Sequence, residues 1–309
     1  MRKNRLAIVF SLFLSLASVF SLSFSASARP RIKILTTVFP LMEFAREVAR
    51  ERGGVGLFLP PGAEVHTWQP RFSDMEKLSR ADVFVYIGQG LEPWAVDVLR
   101  SVRRPGLKVL EIGRDLPLLR DGQEGLSRGH ESESLDPHLW LDFEIDEILV
   151  GRIQSLLTEI EPDQADVFAR GASAYKEKLK RLDGDYRKAF EQCELNAFIF
   201  SGHAAFGYLA RRYHLRQISA YGMSPDSTPT PKDLARIIEM AGQLRVPTIF
   251  YETGAGPKLA RQIAASIGAD VLPLNPGHTL TKRELDSGTT FLDLMRMNLE
   301  NLRHGLHCR

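Results

Sequence analysis

The chain has 309 residues, 44% of them apolar and 25% charged, which is the composition of a globular protein with a real core. Its formal charge is +2, from 40 basic and 38 acidic residues, so no basic excess points to a nucleic-acid partner. The length suits one large domain or two lobes of ordinary size.

At the start of the chain, Arg2, Lys3 and Arg5 precede an apolar, Ser-rich run over 6–24, and Ala26-Ser27-Ala28 follows as a small-x-small cleavage pattern. This predicts a secretory signal peptide over 1–28, cleaved after about Ala28; the competing reading is an uncleaved membrane anchor. Cleavage removes three positive charges and no acid, which leaves a mature charge of −1. No cysteine stands at the cleavage site to accept a lipid, and no later run of about twenty apolar residues could span a membrane. A periplasmic protein, soluble and not lipid-anchored, is expected.

Short β-branched runs then alternate with helical patterns. Strands are expected over 32–36, 55–59, 83–87 and 108–112, with helices over 40–50 and from Glu92-Pro93 onward. That alternation indicates parallel sheet built from βαβ units. From 143 to 190 the pattern is helical, broken at Glu161-Pro162-Asp163. Its second part, 164–190, carries Val167, Phe168, Tyr175, Leu179, Leu182 and Tyr186 at helical spacing. Such a helix is about 40 Å long, enough to run the length of a two-lobed protein, although an ordinary amphipathic helix has the same spacing. Alternation resumes with strands over 197–200, 217–219, 248–251 and 271–274 and helices over 204–213, 231–244, 257–267 and 290–302. The expected organisation is an N-terminal α/β lobe over 29–163, a linking helix over 164–190 and a C-terminal α/β lobe over 191–309. The polar stretch 122–134 reads as a loop. Cys193 and Cys308 are the two cysteines; export would allow them to pair, but the sequence does not give their separation.

Three of the eight histidines fall at comparable places. His66 follows the second expected strand by a short loop, His203 comes directly after the 197–200 strand, and His138 precedes the long helical region. Ligands in open α/β sheets bind beyond the carboxyl ends of strands, so the three can converge on one cleft. Imidazole suits zinc, copper, nickel and iron. A lone loop histidine is more often a surface residue, and no compact His-Glu-x-x-His or Cys-x-x-Cys motif is present.

At these residues the chain resembles the solute-binding proteins of zinc and manganese ABC transporters, over nearly its whole mature length. The resemblance rests on Gly62-Ala63-Glu64-Val65-His66-Thr67-Trp68-Gln69-Pro70, on Ala81-Asp82 with Gly88-Gln89-Gly90-Leu91-Glu92-Pro93-Trp94, and on Asp136-Pro137-His138-Leu139-Trp140-Leu141-Asp142. His203-Ala204-Ala205-Phe206-Gly207-Tyr208, the segment from Ser224-Pro225-Asp226 to Pro231, and Ile249-Phe250-Tyr251-Glu252 complete it. It implies two Rossmann-like lobes with parallel sheets, joined by a long rigid helix, with metal held in the interlobe cleft. It places His66, His138 and His203 as ligands of a transported Zn2+, and it implies a membrane permease as partner. A periplasmic metal chaperone and a monomeric state are further expectations.

Three imidazoles favour zinc over manganese, which prefers carboxylate and water oxygen; manganese, iron or copper in the same role are the alternatives. The fourth ligand is open between water or an anion, His278, Glu64 and Asn275, since Asn275 stands where many members supply an aspartate. Residues 129–133, with His130, read as a solvated loop before a metal collector. Glu252 is read either as a carboxylate orienting a histidine or as a surface acid. Trp68, Trp94 and Trp140 read as packing residues. A zinc-dependent hydrolase is the rival from another class, but no general base stands out, so the chain reads as a binding protein and not an enzyme.

Overall fold

The structure, a computed structural model, describes residues 31–102, 104–119, 135–222 and 229–309. The expected signal peptide over 1–28, the polar loop over 122–134 with His130, and Ser224-Pro225-Asp226 lie outside the described residues.

The first lobe runs β1 (Ile32–Thr36), α1 (Phe39–Ala49), β2 (Gly53–Leu57), α2 (Phe72–Ser79), β3 (Val83–Tyr86), α3 (Ala95–Val102) and β4 (Lys108–Glu111). All of its strands pair in parallel, in the order β2-β1-β3-β4. Two helices follow, α4 (Phe143–Ile160) and α5 (Ala165–Phe190). Pro162 opens a single 3-10 turn between them, because a proline cannot continue the α4 hydrogen-bond ladder. The second lobe runs β5 (Ala197–Phe200), α6 (Gly207–Arg212), β6 (Arg216–Ser219), α7 (Pro231–Leu244), β7 (Thr248–Glu252), α8 (Lys258–Ile267), β8 (Asp270–Leu274), α9 (Lys282–Asp286) and α10 (Phe291–Gly305). Its parallel order, β6-β5-β7-β8, repeats that of the first sheet.

Period-two alternation divides the packing of the second sheet. Phe198, Phe200 and Phe250 face a core shared with α1, α4, α5 and α10, while Ile199, Ile218 and Ile249 face a separate core under α7 and α8. The shared core runs without interruption from Ile32 in β1 to Leu306 beyond α10. Tyr175, Leu179, Leu182 and Tyr186, read from spacing as one face of α5, are all buried in it. Gly171 lets α5 lie against α1: a Cβ there would stand 2.8 Å from the Val48 carbonyl oxygen and closer still to that of Glu47. Glu43 of α1 ties both lobes together. It accepts Tyr175 Oη from α5 at 2.6 Å and the Phe291 backbone N–H at the start of α10 at 2.5 Å.

Cys193 and Cys308 form a disulfide, which fastens the segment beyond α5 to the end of α10. Among the described residues no helix is long and apolar enough to cross a membrane.

Some elements differ from expectation. β2 begins at Gly53, not 55, because Ile32↔Gly53 and Lys33↔Gly54 are ladder pairs with β1; tertiary pairing overrides the poor strand propensity of two glycines. α2 and α9 are short helices absent from the periodicity reading. Local caps start them: the Arg71 N–H donates to Asp74, and Thr281 accepts from the Glu284 N–H.

Candidate metal centre

Three connecting segments, one of them directly after a strand, bring three imidazoles to one point. His203 follows the end of β5 by three residues, and Glu252 ends β7, the neighbouring strand. This is the place in the second sheet where the chain order reverses, which is where open α/β sheets bind ligands. The His203 ring is wholly buried, and its Nδ1 lies 2.9 Å from Glu252 Oε2. Gly202 makes room for that contact, since a Cβ there would meet the Phe200 ring and stand 2.7 Å from Glu252 Oε2.

His138 precedes the 3-10 turn Leu139–Leu141 that leads into α4. It too is wholly buried. Its Nδ1 lies 2.8 Å from Asp136 Oδ1, which also accepts the His138 backbone N–H at 2.9 Å. Trp140, two residues on, donates its indole N–H to the Pro276 carbonyl at 2.7 Å, so this turn of the first lobe is bolted to the loop after β8.

His66 lies in the loop between β2 and α2. Trp68 anchors that loop, its ring meeting Phe58 and Trp94 edge-on at 5.5 and 5.2 Å. The His66 N–H donates to Glu64 Oε1 at 3.2 Å. Unlike the other two rings, His66 is partly exposed.

The Nε2 atoms converge. His66 and His138 Nε2 are 3.3 Å apart, and His203 and His138 Nε2 are 3.2 Å apart. Tetrahedral zinc with Zn–N of about 2.0–2.1 Å places its ligand nitrogens about 3.3–3.4 Å apart, so these spacings fit that ion. The tautomers fit as well. Carboxylates at Nδ1 of His138 and His203 hold the protons there, which turns the Nε2 lone pairs inward, toward each other. Two lone pairs 3.2 Å apart repel unless a cation lies between them.

The electrostatics favour neutral rings at His66 and His138. Burial, followed by the nearby His138 and His203, brings His66 down to about 3. Burial, then His203, holds His138 well below the usual imidazole range. Burial raises Glu252, but the His203 hydrogen bond and charge outweigh it, so Glu252 is held below the usual carboxylate range. Asp136 is pushed by burial up to about 7.

Among the remaining candidates, His278 is buried with its ring 6.0 Å from that of His203, and its Nδ1 has no hydrogen-bond partner among the described residues. Its Nε2 is 3.6 Å from Glu64 Oε2. Burial would lower His278, but Glu64 prevails and raises it; Glu64, raised by burial, is brought by His278 down to about 2. Asn275 is turned into its own loop, where Oδ1 accepts the Gly277 N–H at 2.8 Å and the backbone N–H donates to Asn298. A 360 Å³ cavity opens past Glu64, Glu252 and His278. The sequence reading gave Asp136 no role of its own, although its position two residues before His138 was a usable signal.

Comparison with known proteins agrees with this geometry. A family profile described as ZnuA, zinc-uptake complex component A, periplasmic, matches residues 34–305. The zinc-binding protein AdcA of Streptococcus pyogenes serotype M18 (strain MGAS8232) is 33% identical over 291 residues, covering 89% of this chain and 56% of AdcA. This chain thus spans little more than half the length of that relative. The high-affinity zinc uptake system protein ZnuA of Bacillus subtilis (strain 168) is 31% identical over 285 residues, covering 89% of this chain and 88% of that protein. Among solved structures, the Zn(II)-bound ZnuA-like domain of Streptococcus pneumoniae AdcA superposes with a TM-score of 0.77 at 31% identity, covering 89% of this chain and 99% of that domain.

Proposed function

We propose, for a chain that belongs to the ZnuA family of periplasmic zinc-uptake components, that it captures Zn2+ and delivers it to the membrane permease of an ABC transporter. The observation that carries this reading is the convergence of three histidines, with His138 Nε2 at zinc-like spacing from the other two Nε2 atoms and buried carboxylates behind two of the rings. His66, His138 and His203 are the ligands in this reading. His278 supplies the fourth by a small movement of its ring, since its Nδ1 is buried without a partner while the Asn275 side chain is engaged elsewhere. Glu64 neutralises the pair, lowering the cost of a doubly charged ion in a buried site.

The protein works as a monomer outside the inner membrane, exported by a signal peptide cleaved after about Ala28. A periplasmic metal chaperone is a second partner. Its architecture divides into lobes 29–163 and 191–309 around the linking helix 164–190.

The test is equilibrium titration of the mature protein with Zn2+ against Mn2+ and Cu2+, repeated for His278→Ala. One tightly held Zn2+ per chain, weakened about tenfold or more by His278→Ala (about 1.4 kcal/mol), supports the full set. Unchanged affinity returns the fourth position to water, and absence of zinc binding ends the reading.

A further inference from the structure

We infer that Arg212 is the positioning residue of the metal centre: it holds the His203 turn of the second lobe against the His138 turn of the first, and so sets the distance between their Nε2 atoms. This rests on the assignment of His138 and His203 as ligands.

Arg212 closes α6, the short helix that begins four residues after His203. Its side chain is only 8% exposed, yet it forms ion pairs with three different carboxylates. One arm of the guanidinium, Nη1, donates to Asp142 Oδ1 and to Glu144 Oε2, both at 2.9 Å. Asp142 is the N-cap of α4, accepts the Glu144 N–H at 3.1 Å, and stands four residues after His138. The other edge, Nε and Nη2, donates to Asp183 of α5 at 2.6 and 2.9 Å. A single planar fork therefore joins the helix behind His203, the helix behind His138 and the long helix between the lobes.

Other side chains of α6 point the same way. Tyr208 Oη donates to the Asp136 carbonyl at 3.2 Å and accepts the Leu119 N–H at 3.1 Å. Arg211 Nη2 is 3.5 Å from Asp142 Oδ2. The segment carrying His138 is thus gripped at both ends, Asp136 and Asp142, by a helix of the opposite lobe. The pairing of elements also explains why arginine stands at 212. Two acceptors on different helices, approached from two edges of one plane, need a rigid fork; a lysine ammonium is a single point charge and reaches one of them. Asp146, buried on α4 without a side-chain hydrogen-bond partner among the described residues, feels the same cation, so an apolar residue at 212 would strand several acids at once.

The test separates positioning from stability. Arg212→Lys keeps the charge and loses the fork. Asp142→Ser keeps an N-cap for α4 but is too short to reach Arg212. Tyr175→Phe weakens interlobe packing at Glu43, away from both ligand turns. Zinc affinity by chelator competition and the visible absorption of the Co2+-loaded protein are read for each, with thermal melting of the metal-free proteins. Arg212→Lys and Asp142→Ser should each lose about tenfold or more in zinc affinity and shift or weaken the cobalt band. Tyr175→Phe should melt earlier with affinity and spectrum intact. The inference fails if both of the first two variants bind zinc and cobalt as the parent does, or if Tyr175→Phe loses as much affinity as they do. Should one of the pair not fold, the other decides. A parent protein that binds neither ion would instead refute the proposed function.

Discussion

His138 and His203 are wholly buried, and each ring is fixed at Nδ1 by a buried carboxylate, while His66 is partly exposed and has no carboxylate at its ring among the described residues. The first two sit on turns bound tightly into helices α4 and α6. The third rides on a loop anchored by the edge-on contacts of Trp68. On the proposed reading, two ligands are built in advance, and the third, on a partly exposed loop, is the movable one. A carrier needs both properties: a preorganised pair gives affinity, and a movable ligand gives a route for release. The 360 Å³ cavity opens past Glu64, two residues before that movable ligand.

This contrast predicts unequal effects. His138→Ala or His203→Ala should weaken zinc binding about a thousandfold, roughly 4 kcal/mol, since each removes a fixed ligand and strands its carboxylate. His66→Ala should cost about a hundredfold, because water can replace a ligand at the accessible side. Chelator-competition titrations of the three variants check the order. If His66→Ala proves the most damaging, the division into fixed and movable ligands is wrong.

Next in size are the carboxylates. Asp136→Asn and Glu252→Gln should each cost about 10–100-fold in zinc affinity, as expected when a ligand histidine loses the partner that sets its tautomer. The same change at Glu64 probes the loop side, and Glu64→Gln should act mainly on the rate of zinc release. Stopped-flow release into a strong chelator distinguishes the two. A similar loss of equilibrium affinity in all three variants would erase the contrast.

A stability measurement, with no metal present, tests the framework behind the fixed pair. Burial raises Asp183, but its hydrogen bonds with Arg212, Tyr213 and Arg187 outweigh that and bring it from 3.8 to about 2. A carboxylate depressed in the folded state contributes stability above its unfolded pKa and loses it as pH falls through the folded value. With its side chain 16% exposed, the contribution is about 2–3 kcal/mol at neutral pH. Metal-free Asp183→Asn should thus unfold more easily in urea at pH 7 by about that amount. The difference should shrink as pH drops below about 4. A gap that stays constant down to pH 3 would place the role of Asp183 elsewhere.

Much of this was legible in the sequence, for physical reasons that differ by element. β5 and α7 were read at their true bounds, because a run of four buried apolar residues and a Thr-Pro cap with Asp233 are local signals. The three histidines stood out by their places in the chain, but spacing alone did not make them ligands; the family resemblance did. The start of β2 was misplaced because its glycines pair only in the ladder. Arg212 was invisible, since its three carboxylates lie 29 to 70 residues away and only the fold brings them together. The pairing of Cys193 with Cys308 was open for the same reason, being set by the meeting of α5 and α10.

The smallest expected effect concerns the molecule as a whole. If release depends on the His66 loop, the lobes themselves need not swing apart. Their geometry resists it: the core is continuous across both sheets, and α5, 26 residues and about 39 Å long, is buried along one face in that core. Glu43 joins α1, α5 and α10, and the Pro276 carbonyl is held by Trp140 from the first lobe. Phe39 N–H donates to the His278 carbonyl at 3.0 Å, a further bond between lobes beside the site. A hinge opening would break all of these at once and expose apolar surface, whereas a loop movement breaks few of them. Small-angle scattering with and without zinc should therefore give nearly equal radii of gyration. Hydrogen exchange should slow on zinc binding in residues 62–70, with little change in α5. A radius change of several ångströms, or exchange that slows along α5 itself, would show that the lobes move and that His66 is not the movable ligand on its own.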